Sequence, residues 1–508
     1  MNIRRLLTNT AALALAFGLV GASVNGASSA DQSGGKGDSP GPANAALAQC
    51  GPGSLPETGL QGQVPLTDPS YYASGYRCNL QLVGQYTEDG TNVALAWYKD
   101  CAYTDTGYSP TDPKYNTLKG VRVIDAADPA HPRRTALLQT PAMSLPQESL
   151  HVNQARGLLG AVGNGYFDLY SIRQDCARPR LLASVPMFKA DALPHSGGFS
   201  PDGTIYYAVG GPLDSSLMAI DITEPGKPRK QYAWKTGNQL TDGQAVDAHQ
   251  VYFGPDDPGD LVFLPQKGAN ASPIIGGQWS GGGLVIADVS GLRARRPDPS
   301  VSIVGQVDWA DGKNAMSAPV GRIGDRTYAF VSDEVGLGAN AESACAAGQP
   351  PFGFVHVVDV TDVRHPRQVS TIRLQIDNPA NCAQTRTEPG PYGIAHSSHI
   401  CAVDNPENVT ALTCDWLQSG VRVFDVRDPL HPREIAYYNP APIPGNYRGI
   451  PSFQKALVSP CPCRDYTPNG GRWVHARDGS WQLWIVSGQN GFQILRFTNG
   501  SYPLRDVG

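Results

Sequence analysis

Residues 120–133 read Gly-Val-Arg-Val-Ile-Asp-Ala-Ala-Asp-Pro-Ala-His-Pro-Arg, and residues 420–433 read Gly-Val-Arg-Val-Phe-Asp-Val-Arg-Asp-Pro-Leu-His-Pro-Arg. Both start on glycine, run through a short apolar strand to an aspartate, and break at a turn that ends in Pro-Arg. Further copies occur at Gly353–Arg367 and Ser216–Arg229. Weaker ones occupy Gly283–Pro297 and Tyr166–Arg180, and a truncated one Gly491–Phe497. The anchor positions are Asp125, Ser171, Asp221, Asp288, Asp359, Asp425 and Arg496, spaced 46 to 71 residues apart. A repeat of that period, made of strands and turns, is the mark of four-stranded blades with loops of variable length. Seven copies predict an all-β, seven-bladed β-propeller over residues 78–500.

The surroundings of each copy agree. Upstream lie a strand, a tight turn and a second strand, as in His195–Val209, and downstream an outer strand, as in Val301–Val307. The aspartate is expected to close the turn by accepting backbone N–H bonds, and the proline to fix φ and stop the strand. The same structural reading covers His131, His365 and His431 inside the His-Pro-Arg turns. The last copy has no outer strand of its own. The stretch Asn79–Thr87 precedes the first blade and shares Val-Gly-Gln with Val301–Val307. It is expected to complete the last blade and close the ring, which removes exposed sheet edges.

Composition fits one large β body. Among 508 residues there are 57 Gly and 43 Pro, and only 17 % are charged. With 41 % hydrophobic residues the chain can bury a large core, which excludes wholesale disorder. A net charge of −5 lacks the basic excess of a nucleic-acid binder. Residues 1–30 read as a signal peptide: Arg4-Arg5, an apolar Leu13–Val20, then small residues. Residues 31–77 are expected to be a flexible segment and 501–508 a tail. No later stretch is apolar for ~18 residues, so no membrane span is expected. Ten cysteines in an exported chain point to disulfides. Cys401 with Cys414, on either side of the turn Asn405–Asn408, is the pairing singled out.

The chemistry must come from histidines. His151, His195, His249, His399 and His475 each fall a few residues before the first tight turn of a blade. They are therefore placed near the start of the innermost strand, ringing one mouth of the central channel. Imidazole is the commonest neutral metal ligand. Glu148, Asp191 and Asp247 lie just before three of these histidines and are expected to orient them as outer partners. His195, His249 and His399 are the leading set, with His151 and His475 as accessories. Two other readings stay open. The histidines can knit blades together through backbone carbonyls, or a metal-free ligand site can form with Trp473, Tyr392 and Arg472. No phosphate-cradling glycine loop, His-Glu-x-x-His or nucleophile elbow is present.

The repeat, with its apolar strand, aspartate and proline turn, resembles the LVIVD-repeat family of exported and surface proteins over roughly residues 79–499. That resemblance implies a propeller and no single reaction. The segment His396-Ser-Ser-His-Ile-Cys401 is similar to a His-x-x-His-x-Cys segment of the selenium-binding protein and methanethiol oxidase family. Those are copper-dependent propeller enzymes, so this likeness implies copper, while a Cys401–Cys414 bridge would withdraw the thiol. The function expected first is an exported, disulfide-stabilised scaffold. It would be a monomer that binds a small molecule or an extracellular or cell-surface partner. The alternative is a metal-dependent enzyme such as an oxidase, with one copper or zinc ion in the histidine cluster.

Overall fold

A computed structural model describes residues 44–504, apart from 66, 89–92, 106–119, 189–194, 210–214, 236–247, 267–281, 389–394 and 444–463. These lie in one unit, Pro42–Gly508. The signal-peptide reading and Asp191, Asp247, Tyr392, Cys461 and Cys463 fall outside the described residues.

Seven antiparallel sheets follow one another in chain order, so the fold is the expected seven-bladed propeller. Blade one, for example, runs Leu95–Tyr98, Cys101–Asp105, Val121–Asp125 and Arg133–Leu138 from the inside outward. Blade seven holds Asn469–His475, Trp481–Ser487 and Gly491–Phe497, and its fourth strand is Leu80–Tyr86, paired from Leu80↔Phe497 to Tyr86↔Phe492. The closure is therefore as expected. In blade four the innermost segment is reduced to single bridges, Ala248 with Gln266 and Tyr252 with Phe263. In blade five it is broken into Lys313–Ser317 and Val320–Ile323.

Each pair of neighbouring blades shares a hydrophobic cluster, so both faces of every sheet are covered. Tyr103, Val123 and Met143 meet Leu159 and Tyr170 between blades one and two. Leu95, Ile124, Trp484 and Phe492 fill the seam between blades seven and one. This is why the repeat strands read as nearly continuous apolar runs, not as alternation.

The turns behave as read, with one addition. Asp125, Asp221, Asp359 and Asp425 each accept the N–H two residues on. Asp288 does so from Ser290. The arginine of the Pro-Arg pair then returns across the strands onto the same carboxylate: Arg133 to Asp125 at 2.8 Å, Arg229 to Asp221 at 3.3 Å, Arg367 to Asp359 at 3.5 Å and Arg433 to Asp425 at 3.1 Å. The shared Val-Gly-Gln also finds its reason. A Cβ on Gly84 would stand 2.3 Å from Pro129 O, and one on Gly305 2.1 Å from Val363 O. In both cases the outer strand of one blade lies against the turn that follows the repeat strand of the next.

The expectation of a flexible segment through residue 77 is corrected for its described part. Residues 44–77 form a strap on blade six. Tyr76–Cys78 adds a fifth strand beside Arg433–Asn439, Cys50 is bonded to Cys78, and Tyr71 and Tyr76 are buried with Tyr437. Glu57 pairs with the buried Arg422, which also reaches Glu434 at 3.0 Å. The remaining bridges are Cys101–Cys176, Cys345–Cys382 and Cys401–Cys414. The last is the pairing anticipated, across directly opposed residues of adjacent strands. Four disulfides fit an oxidising compartment. Among the described residues no helix is long and apolar enough to cross a membrane.

Candidate metal centre

Three of the inner-strand histidines converge. His195 N donates to Val209 O, His249 N to Pro265 O and His399 N to Asp415 O, so each is anchored by a backbone bond at the head of its blade's inner segment. The loop leading into blade two completes the set. Gln147 adopts φ 47°, a left-handed conformation a side chain rarely takes. Glu148 thereby bridges in parallel with Ser196, its N–H donating to His195 O at 3.1 Å.

The Glu148 carboxylate is the hub. Its Oε1 lies 3.0 Å from His195 Nε2 and 3.6 Å from His399 Nε2, and its Oε2 lies 3.6 Å from His249 Nε2. The His195 and His249 rings are 5.1 Å apart. Ligand atoms of Glu148, His195 and His249 all lie within 4.8 Å of one another, an arrangement able to hold a metal ion. Oxygen and nitrogen atoms that share an ion at ~2.1 Å sit about 3.4 Å apart in tetrahedral geometry, close to the 3.0–3.6 Å between Glu148 and each of the three histidines.

The opposite ring atoms are fixed by outer partners. His195 Nδ1 is 2.6 Å from Gln147 Oε1, and His399 Nδ1 is 2.7 Å from Pro468 O. Both acceptors place a proton on Nδ1, so Nε2 is the ring atom that faces Glu148, as a donor when the imidazole is charged and as a ligand atom when it is neutral. Gln250 Nε2 donates to Glu148 Oε2 at 3.4 Å, and Glu334 Oε1 stands 3.7 Å from His399 Nε2. Burial alone would raise the Glu148 carboxyl, but the imidazoles of His195, His249 and His399 outweigh it and hold it well below the usual range. Burial pulls His399 down, while Asp415, Glu334 and Glu148 together raise it.

The other sequence candidates divide. Glu148 was expected as an outer partner of His151; it is instead the shared carboxylate of three other histidines. His151 stays at the margin. Its Nε2 faces the Glu148 carbonyl oxygen at 3.1 Å, and burial, with Arg472 adding to it, pulls it down to about 4. His475 is not at the mouth. The inner strand of blade seven runs seven residues, Asn469–His475, so His475 ends it, exposed and edge-on to Trp481. The His396 of the selenium-binding-like segment is also elsewhere, with Nδ1 on Ser419 and Nε2 near Glu388 and Arg464. Cys401 is in a disulfide, so no thiol is offered. Gln147, Glu334 and the Pro468 carbonyl were not anticipated. A polar pair, Gln147-Glu148, just ahead of a candidate histidine was the one signal for the first.

No protein-family model and no curated protein matches the chain. Solved structures do. The chain is similar to Kuenenia stuttgartiensis hydrazine synthase (11 % identity, TM-score 0.46), covering 82 % of this chain and 97 % of that one. It is similar to the periplasmic gluconolactonase PpgL of Pseudomonas aeruginosa (13 %, TM-score 0.47), covering 78 % and 99 %. It is also similar to a protein from Lactobacillus plantarum (15 %, TM-score 0.43), covering 67 % and 82 %. The functional assignment rests on none of these likenesses.

Proposed function

We propose that this is a metal-dependent propeller enzyme, with one first-row transition metal ion held by His195, His249, His399 and Glu148. One observation carries the reading. Ligand atoms of Glu148, His195 and His249 lie within 4.8 Å of one another, with Glu148 and His249 buried. His399 Nε2 faces the same carboxylate at 3.6 Å, so a third imidazole borders the group. Three imidazoles and a carboxylate, with no thiolate, suit copper, zinc, iron or manganese. An ion so held supplies a Lewis acid facing the channel. The chain's own part is to fix the ligands: Gln147 and Pro468 orient two imidazoles, and the Gln250 N–H and the neighbouring imidazoles hold Glu148 ionised against its burial. A scaffold that only presents loops has no use for a carboxylate buried among three imidazoles, since stripping such groups of water is costly.

Elemental analysis of protein purified by its own export route tests this, beside His195→Ala and His249→Ala. The expected result is about one equivalent of metal in the parent protein and less than a tenth of that in both variants. A parent protein free of metal, or metal retained by both variants, overturns it and returns the binding scaffold to first place.

A further inference from the structure

Blade seven contributes no histidine to the centre but contributes Arg472. This residue lies on the inner strand Asn469–His475, opposite Trp484. Its Nε donates to Leu95 O of blade one at 3.1 Å and its Nη1 to Gly471 O at 3.4 Å. It is half-buried in the channel wall. Three buried arginines in this molecule are each given a carboxylate: Arg373 has Asp311 at 2.6 Å, Arg422 has Glu434 at 3.0 Å and Arg464 has Glu388 at 2.7 Å. Among the described residues Arg472 has no carboxylate within ion-pair distance; its hydrogen bonds there go to two backbone carbonyls.

The same strand supports the centre. Pro468, just ahead of it, holds His399 Nδ1 through its carbonyl. A Cβ on Gly470 would stand 2.0 Å from Ile400 O and 2.5 Å from Asp415 N, so this backbone presses on the segment that carries His399. The titratable groups whose charge interacts with Arg472 are Tyr252, Asp415 and His151. Tyr252 donates to Gln250, the partner of Glu148, and Asp415 lies 3.7 Å from His399 Nδ1. The strand that carries Arg472 thus packs on the segment that carries His399, and Tyr252, through Gln250, and Asp415, directly, each reach a ligand of the cage.

We propose that Arg472 anchors the carboxylate of a small anionic substrate beside the metal centre. A guanidinium offers a planar fork of donors that fits a carboxylate with two parallel bonds. A single guanidinium balances the one charge of a carboxylate better than the two of a phosphate monoester. This inference rests on the metal-centre reading for the meaning of "substrate", but the anchor can be measured separately.

The test compares parent protein with Arg472→Gln, which keeps an N–H donor for Leu95 O, and Arg472→Lys, which keeps the charge without the fork. Metal content is measured first. Acetate and its uncharged isostere acetamide are then titrated by calorimetry into each protein, both as purified and after chelator treatment. The expected result is acetate affinity at least about tenfold lower in Arg472→Gln, partly recovered in Arg472→Lys, with acetamide unaffected and metal content equal. Equal acetate affinity in parent and Arg472→Gln, or no acetate binding by the parent, overturns the anchor. A parent protein without metal but with Arg472-dependent acetate binding overturns only the metal-centre reading.

Discussion

The molecule pairs imidazole with carboxylate in two very different places. In the turns, His131, His365 and His431 each set Nδ1 at 2.9 Å from the aspartate three residues before, with the imidazoles 81–82 % exposed. At the channel, His249 and His399 are 3 % and 6 % exposed and His195 32 %, all against a Glu148 that is 4 % exposed. The contacts are alike in chemistry, at 2.9 Å in the turns and 3.0–3.6 Å at the channel. What differs is the water. In the turns it screens the pair, and each pair only trims a loop. At the channel the charges are felt in full, and the arrangement persists only if something balances them.

The sharpest way to break this comparison is to remove the hub. Glu148→Ala is expected to abolish metal retention and to lower stability by about 3 kcal/mol, as removal of one partner from a buried charge group does. Elemental analysis and urea unfolding measure both, and full metal content in the variant contradicts the role given to Glu148. Next comes the wall. Replacing Cys401 and Cys414 together by alanine frees the strand that follows His399, and is expected to cost about 3 kcal/mol. The same urea series reads it.

A third carboxyl refines the contrast. Asp377 is buried like Glu148 but is met by the Leu374 N–H and the Trp416 indole, not by imidazoles. Burial, against those two bonds, pushes it up to about 8. The folded state therefore binds a proton that the unfolded chain releases near its ordinary value of 3.8. That contribution is fully present below about pH 4 and is lost as pH rises toward about 8. Asp377→Asn is expected to flatten this decline, so its gain in melting temperature should grow from pH 5 to pH 8 and then level off. A constant offset across that range would show Asp377 to be ionised throughout. The smallest effect belongs to the turns. The triple variant His131→Ala, His365→Ala, His431→Ala should keep its metal and its melting temperature, and a clear drop in either would erase the distinction drawn above.

The blades were legible because the information is local. The run from Gly120 to Arg133 contains its strand, its stop and the Asp125–Arg133 lock within one stretch. The closing strand was legible because Gly84 and Gly305 answer to the same steric demand. The cage was half legible. The heads of inner strands pointed to His195, His249 and His399, but nothing local announces that Gln147 turns left-handed and delivers Glu148 to three blades at once. His475 was misplaced for a related reason: counting back from a turn assumes a short inner strand, and blade seven's is long. The strap was illegible because its polar partners are remote, Glu57 on Arg422 and Val64 O on Arg464.

The pairing of Leu80–Tyr86 with Gly491–Phe497 also orders events in time. The first of these strands to leave the ribosome must wait for the last one before it has a partner. Contacts so distant in sequence are slow to form, and bringing such ends together carries a loop-closure cost that local hairpins avoid. Blades one to six can each zip from neighbouring segments as they appear, while the seventh stays an open edge until synthesis is nearly complete. The ring's final latch is thus a check on completeness: a chain cut short before residue 491 keeps its six other blades in sequence but leaves Leu80–Tyr86 unpaired, displaying an edge that invites association with other chains.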